Sequence, residues 1–480
     1  MSLIRQYSIL FFATLAYLFL AVYFLWNEQT YLALAPVGLM AVYFAIYYTE
    51  ISFLGLAFLT PLSINIEEYT NGFGLFIPTE PLLFGIMIWL LMHQVKKNQI
   101  NRNIWYSPIV IAVSFYLIWI FITSITSTSP LISFKFLLAK LWFIVPLLFF
   151  GTKVFAKMAN VRTFIWLFVI AMCIVICYTV GIHSTYGFGE KESHWVMWPF
   201  FKDHTIYGST VAFSIPLVFG LYFSKRHDPL IKGMLLIMMI ITLVGLYYSS
   251  SRAAWLTVFA AVAVLVVIKL RIKFSILFAI GLIGALTLFY SWDSIQMEME
   301  RNKQEHTTEE FGEKLQSATN VTTDASNLER LNRWAAAVEM FKERPVFGFG
   351  PGTYAFEYAR FQEPENITII STSAGNMGNA HSEYLGPLSE MGLIGMLAML
   401  AIVAAIFYQG ITLYLKWPKE DREGRTLILA MVLSLVTYFV HGTINNYLDT
   451  DKAAVPIWAF CAAFVALEIV HRRKQAELNK

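Results

Sequence analysis

Arg252 and His381 stand where this chain passes between apolar and polar sequence, and Arg330 stands in the polar stretch between them. Arg252 follows Ser250-Ser251 at the head of an apolar run. Arg330 lies within Glu329-Arg330-Leu331-Asn332-Arg333-Trp334, inside a long polar stretch. His381 closes that stretch, in Ala380-His381-Ser382-Glu383-Tyr384-Leu385. A guanidinium presents a fork of donors that matches phosphate oxygens two at a time. An imidazole is the usual proton-transfer group near neutral pH. Brought to one membrane face, these residues suit chemistry on a phosphate carried by a lipid.

The elements that must position them are membrane helices. Of the 480 residues, 57% are hydrophobic and only 14% charged, and mean hydropathy is +0.59. Runs of about twenty apolar residues read as spans. Fourteen are expected: 8–26, 31–47, 51–66, 81–95, 105–124, 135–150, 163–182, 207–223, 233–249, 253–268, 274–291, 383–409, 426–442 and 455–471. The second and third are short enough to be one broken unit. The first reads as an uncleaved helix, since no small-residue cleavage site follows it. The expected class is an all-α polytopic membrane protein of about 12–14 helices. Three parts follow: an N-terminal bundle over 1–291, a large loop over 292–382, and a three-span bundle over 383–480.

Charge orients the spans. Alternate connections carry Lys96, Lys97 and Arg102; Lys153, Lys157 and Arg162; Lys225, Arg226 and Lys232; Lys269, Arg271 and Lys273; and Lys416, Lys419, Arg422 and Arg425. By the positive-inside trend these connections and both termini are cytoplasmic. The large loop then faces outward, to a periplasm or the cell exterior. Within it, 296–327 is polar and reads as mobile. Residues 327–343 read as an amphipathic helix with Leu331, Trp334, Ala335, Val338 and Phe341 on one face. Pro345 and the glycine-rich Phe347-Gly348-Phe349-Gly350-Pro351-Gly352 end it. No Gly-Lys-Ser/Thr follows these glycines, so they are not a phosphate-binding P-loop.

Each candidate has a plainer reading. Arg252 could be a snorkelling interfacial arginine, though an outer-face arginine runs against the charge trend. Glu329 and Arg333 are four apart, as in an ordinary surface pair, so loss of Arg333 is expected to be mild. Lys135 and Lys140 lie in the sixth span. An intramembrane lysine is costly and functional by default, and either could pair with a lipid phosphate, although Lys135 can snorkel. Asp203 and His204 end the outer loop before the eighth span and are further substrate-binding candidates. Asp449-Thr450-Asp451 could hold a divalent cation against a diphosphate, but Lys452 beside it weakens the case, and no metal is expected. Cys173, Cys177 and Cys461 all lie in apolar spans, so a disulfide framework or a zinc site is not expected. A net charge of +3 gives no reason to expect nucleic acid.

Taken in order, Ser251-Arg252-Ala-Ala-Trp-Leu256, Glu329-Arg330-Leu-Asn-Arg-Trp334, Pro345-Val-Phe-Gly-Phe-Gly350-Pro-Gly-Thr-Tyr354 and His381-Ser-Glu-Tyr-Leu-Gly-Pro-Leu-Ser-Glu-Met-Gly-Leu-Ile-Gly395 resemble the O-antigen ligase/polymerase superfamily of bacterial membrane glycosyltransferases. The resemblance covers about residues 200–470. His381-Ser382 stands where the family usually has His-Asn. It implies a C-type glycosyltransferase fold in the inner membrane, with no cofactor and no nucleotide sugar. The donor it implies is a glycan on undecaprenyl pyrophosphate, used in surface polysaccharide or lipopolysaccharide biosynthesis. The acceptor would be a lipid A-core sugar, another lipid-linked glycan or a protein hydroxyl. On the same basis Arg252 and Arg330 would bind the pyrophosphate, and His381 would be the catalytic base.

A lipid-linked oligosaccharide flippase is the main rival. It would need polar residues deep in the bundle, where Leu, Ile, Val and Phe dominate instead. A structural or signalling membrane protein is the second rival, and an absence of effect on changing Arg252, Arg330 and His381 would favour it.

Overall fold

A computed structural model describes residues 2–27, 43–67, 74–96, 101–272, 325–362 and 378–478, with a few positions between 283 and 291. The described residues are helical almost throughout. Thirteen helices organise the described residues: α1 (Ser2–Trp26), α2 (Thr49–Leu62), α3 (Thr79–Lys96), α4 (Pro108–Ile125), α5 (Pro130–Val154), α6 (Met158–Thr185), α7 (His204–Ser224), α8 (Pro229–Tyr248), α9 (Arg252–Leu270), α10 (Ala325–Glu343), α11 (Leu385–Lys416), α12 (Arg422–His441) and α13 (Asp451–Leu478). A two-residue antiparallel ladder pairs Ile64 with Ile77. Among the described residues nine helices, α4 to α9 and α11 to α13, are long and apolar enough to cross a membrane, and the protein is an all-α polytopic membrane protein.

Each of those nine coincides with an expected span. α1 and α3 fall on the first and fourth. The third is shorter than expected, because the helix stops at Leu62 and the chain turns into the Ile64–Asn65 strand. Spans 31–47 and 274–291 lie mostly outside the described residues, as does the polar segment 296–327. Local chemistry sets the helix starts. Prolines open α4, α5 and α8, where a missing N–H costs nothing. Asp203, Ser251 and Asp421 cap α7, α9 and α12 by accepting backbone N–H bonds.

α7 and α12 run beside each other through the core, with α9 against both. Near one end of this pair Glu423 accepts from Arg162 at 2.8 Å and lies 3.5 Å from Lys225. Those two cations belong to connections that the sequence pattern assigns to a single face. The opposite ends of α7 and α12 carry Asp203 and His441. α12 has 20 residues, about 30 Å of helix, which matches a bilayer core.

The span predicted over 383–409 is not one continuous helix. Gly392 sits at φ 69° and breaks α11. The glycine-rich segment fills the break. Gly350 N donates to the Glu390 carbonyl at 2.8 Å, Phe349 N to the Ser389 carbonyl at 3.2 Å, and Leu393 N to the Pro345 carbonyl at 2.9 Å. Trp119 Nε1 on α4 donates to the Met391 carbonyl at 2.9 Å. Backbone groups freed by the break are thus paired inside the protein, the condition for non-helical backbone at membrane depth. A Cβ on Gly392 would lie 2.2 Å from the Val346 carbonyl oxygen, and its positive φ with extended ψ is a conformation that costs a non-glycine residue about 1–3 kcal/mol besides. Gly392→Ala should therefore lower the melting temperature of the detergent-solubilised protein, or prevent its accumulation. Gly233→Ala, where a Cβ meets nothing within 4 Å, should be neutral or slightly stabilising. Equal melting of the two variants would contradict this account of the break.

α10 falls where the amphipathic pattern placed it, but a different face is buried. Asn332, Arg333, Ala336, Ala337 and Met340 are covered, while Val338 is exposed and Leu331, Trp334 and Phe341 are only partly covered. The alanines permit close approach to the rest of the loop, forming a small core with Phe349, Tyr354 and Tyr358. Arg333 is carried into that core with a carboxylate partner. The more apolar stripe remains largely outside it.

Candidate functional site

The site is built around the turn that follows α12, residues 441–449. Glu383 fixes this turn. Its Oε1 accepts from Tyr438 Oη at 2.6 Å, Tyr447 N at 2.7 Å and Leu448 N at 2.9 Å, while Glu383 N donates to the Gly442 carbonyl at 2.8 Å. The segment carrying His381 is thereby tied to the turn. From the other side Tyr447 Oη hydrogen-bonds Thr205 Oγ1, which donates to Asp203 Oδ1 at 2.5 Å. Asp203 also accepts from Thr205 N at 2.8 Å and Ile206 N at 3.1 Å. Asp203 is thus a helix cap linked to the turn. The His204 ring lies tilted against that of His194, with ring centroids 4.2 Å apart.

Arg330 reaches the turn from α10. Its Nε donates to the Ile444 carbonyl at 3.3 Å. Arg333, one step along, is not a solvated surface group. It bonds Glu329 at 2.7 Å with both side chains buried, donates from Nη1 to the Asn379 carbonyl at 3.2 Å, and lies over the Tyr358 ring at 5.0 Å. The predicted i,i+4 pairing is present, but its surroundings are those of a core.

His381 adopts φ 45°, an uncommon conformation for a residue with a Cβ. Asn379 Oδ1 accepts from its N–H at 3.0 Å, and Trp334 Nε1 donates to its carbonyl at 3.4 Å. The imidazole is held down to a pKa of about 4, first by burial and then by the positive charges of Arg333 and Arg330. A hydrogen bond with the Asn445 side chain and the charge of Glu329 pull it upward. It is neutral at physiological pH and can accept a proton.

Sequence reasoning missed His441 and Asn445. Both are buried. Neither ring nitrogen of His441, nor Asn445 Nδ2, has a hydrogen-bond partner among the described residues. Arg330 and Asp203 are the charged groups that act on His441, and its ring lies 5.8 Å from that of Tyr447. The available signal was the polar run His441-Gly442-Thr443-Ile444-Asn445-Asn446-Tyr447 at the end of an apolar span. A buried donor without a partner costs about 1–3 kcal/mol, so such groups concentrated around Arg330 and His381 point to a ligand rich in acceptor oxygens.

Arg252 opens α9, partly exposed. Ser251 before it packs on Gly208, where an added Cβ would come within 2.7 Å of the Ser251 Cβ. This contact, near the start of α7, puts Arg252 at the Asp203 end of the bundle. Lys140 is buried and ion-paired with Asp449, over the Phe136 ring. Lys135 is exposed and belongs to no described cluster.

The Asp449-Thr450-Asp451 carboxylates do not converge. Asp449 faces Lys140, whereas Asp451 is fully buried and accepts from Ser63 Oγ at 2.5 Å. Lys452 bonds the Thr60 and Ser63 carbonyls at 2.6 and 2.8 Å. The triplet anchors α13 to the end of α2, and this donor set does not fit a shared cation.

Comparison with curated proteins gives no match for this chain. Residues 237–400, which include Arg252, Arg330 and His381, match the family model described as O-antigen ligase. That match makes residues 237–400 of this polytopic membrane protein similar to the O-antigen ligase family.

Proposed function

We propose that the protein transfers a glycan from an undecaprenyl-pyrophosphate donor to an acceptor hydroxyl, in the manner of an O-antigen ligase. The observation that carries this reading is the set of buried, unpartnered groups of His441 and Asn445 beside Arg330 and His381. Cationic and amide donors so arranged suit a diphosphate. An adjacent neutral imidazole suits removal of a proton.

In this reading Arg330 and Arg252 hold the diphosphate, and His441 and Asn445 add hydrogen bonds. The acceptor oxygen forms a bond to the anomeric carbon while its proton passes to the His381 ring. The carbon–oxygen bond to the diphosphate breaks, and its electron pair leaves with undecaprenyl pyrophosphate. Attack opposite the leaving group inverts the anomeric centre. Donors in place before charge develops stabilise the transition state without reorganising. The site lies at the end of the bundle opposite the basic connections, which supports an outward-facing reaction and cytoplasmic termini. Transfer to a second lipid-linked glycan or to a protein hydroxyl would use the same machinery.

Arg330→Lys tests phosphate recognition. Lysine keeps the charge but loses the fork. Transfer by the reconstituted enzyme should fall by roughly 10²–10³-fold, the scale of losing one charge-stabilising donor, with weaker donor binding and normal membrane insertion. Wild-type turnover and donor affinity in this variant would refute the assignment.

A further inference from the structure

A second compartment lies behind the His381 backbone. It is a cavity of about 180 Å³ whose wall includes Asn379, Ala380 and Ser382, the neighbours of His381 on both sides. Its chemistry is opposite to that around the His381 ring. The carboxylates of Glu383, Glu390 and Asp449 line it, against the single ammonium of Lys140. Glu383 and Glu390 each accept a backbone N–H, from Tyr447 and Tyr354, and so are built into the wall. Asp449 is half exposed at 47%. Asn446 Oδ1 is buried and has no partner among the described residues. A space dominated by acceptors repels a diphosphate and favours a ligand that donates hydrogen bonds. A neutral polyhydroxyl fits, because each of its hydroxyls can donate to one wall group and accept from Lys140 or another.

We infer that this cavity is the acceptor subsite, taking a neutral sugar ring whose hydroxyls bond Asn446 and Asp449. The inference rests on the glycosyl-transfer reading above and adds a location for the second substrate. The segment 379–383 would then divide the site, with the anionic leaving group on its cationic face and the acceptor on its acidic face. His381 is the residue on that divide.

Gly386 supplies the test. It lines the cavity, and a Cβ added there meets nothing within 4 Å. Gly386→Leu should project into the space, whereas Gly233→Ala, which lies outside the cavity and whose Cβ meets nothing within 4 Å, should leave transfer close to wild type. With full-length enzyme in liposomes, a lipid-linked glycan donor and a sugar-terminated lipid acceptor, Gly386→Leu should raise the acceptor KM at least about tenfold, equivalent to one lost hydrogen bond. Donor affinity should stay unchanged. Asn446→Ala, which adds no bulk, should raise the acceptor KM by a similar factor and covers the case in which the leucine variant does not fold. A wild-type acceptor KM in Asn446→Ala and in a folded Gly386→Leu would overturn the subsite. So would equal losses of donor and acceptor affinity. Absence of any glycosyl transfer by the wild-type enzyme would instead overturn the reading on which the subsite rests.

Discussion

His381→Ala should cut glycosyl transfer by roughly 10²–10⁴-fold, the usual worth of a general base, while leaving donor affinity nearly intact. In the proposed reading the donor is held by other groups, so the loss should fall on turnover. His381→Gln should be almost as poor, because an amide can hydrogen-bond the acceptor hydroxyl but cannot take its proton. The pH profile adds a sharper expectation. In the free enzyme the imidazole is held near 4 by burial, Arg333 and Arg330. Rates governed by the free enzyme should therefore persist well below the ordinary histidine range and fall only as pH approaches 4. A bound diphosphate neutralises Arg330 and raises the imidazole pKa. The acid limb of kcat should lie above that of kcat/KM, so that the donor itself makes His381 a stronger base. Arg330→Gln, which removes one of the depressing charges, should move the free-enzyme limb upward. Near-normal transfer by His381→Gln, or an acid limb that Arg330→Gln leaves in place, would remove His381 from the role of base.

Much of this arrangement was legible in the chain, for identifiable reasons. Long apolar runs read without ambiguity, because a spanning helix must satisfy its own backbone and cover its length in hydrocarbon. Thus α4 to α9 and α11 to α13 fall where hydropathy placed them. His381 was visible as a polar residue at a span boundary and Arg330 as an arginine on the loop helix, and the structure brings both to the turn after α12. Hydropathy could not show the break in α11, because Gly392 counts as an ordinary small residue in a greasy run. Only its contacts with Pro345 and Val346 reveal the positive-φ backbone. The burial of α10 was misjudged for a related reason. Periodicity ranks faces by apolarity, whereas the chain buries the face where Ala336 and Ala337 allow close approach and Arg333 finds partners. His441 escaped notice because it closes a span, where an isolated histidine is usually interfacial. The charged groups that act on it arrive from α7 and α10, both more than a hundred residues away in sequence.

Arg333→Ala should destabilise the part of the protein around α10 by about 3–5 kcal/mol, the scale for removing one partner of a buried ion pair. The sequence alone suggested a mild effect, as for an exposed i,i+4 pair. Burial reverses that expectation. Without the guanidinium, Glu329 loses a buried cationic partner at 2.7 Å, and Tyr358 loses the cation over its ring. The Asn379 carbonyl also loses its donor, which loosens the residue that holds the His381 N–H. Transfer should therefore fall together with stability, whereas Arg330→Lys should reduce transfer without lowering the melting temperature. Thermal melting in detergent and limited proteolysis of the loop report the first effect. A double-mutant cycle identifies its cause: Glu329→Leu with Arg333→Leu removes both charges and leaves apolar groups of comparable size, so it should be less destabilised than the sum of the single changes. Additive single effects would mean that the pair contributes no coupling. A melting temperature unaffected by Arg333→Ala would mean that water reaches Glu329, and the positioning of His381 would then rest on Asn379 and Trp334 alone.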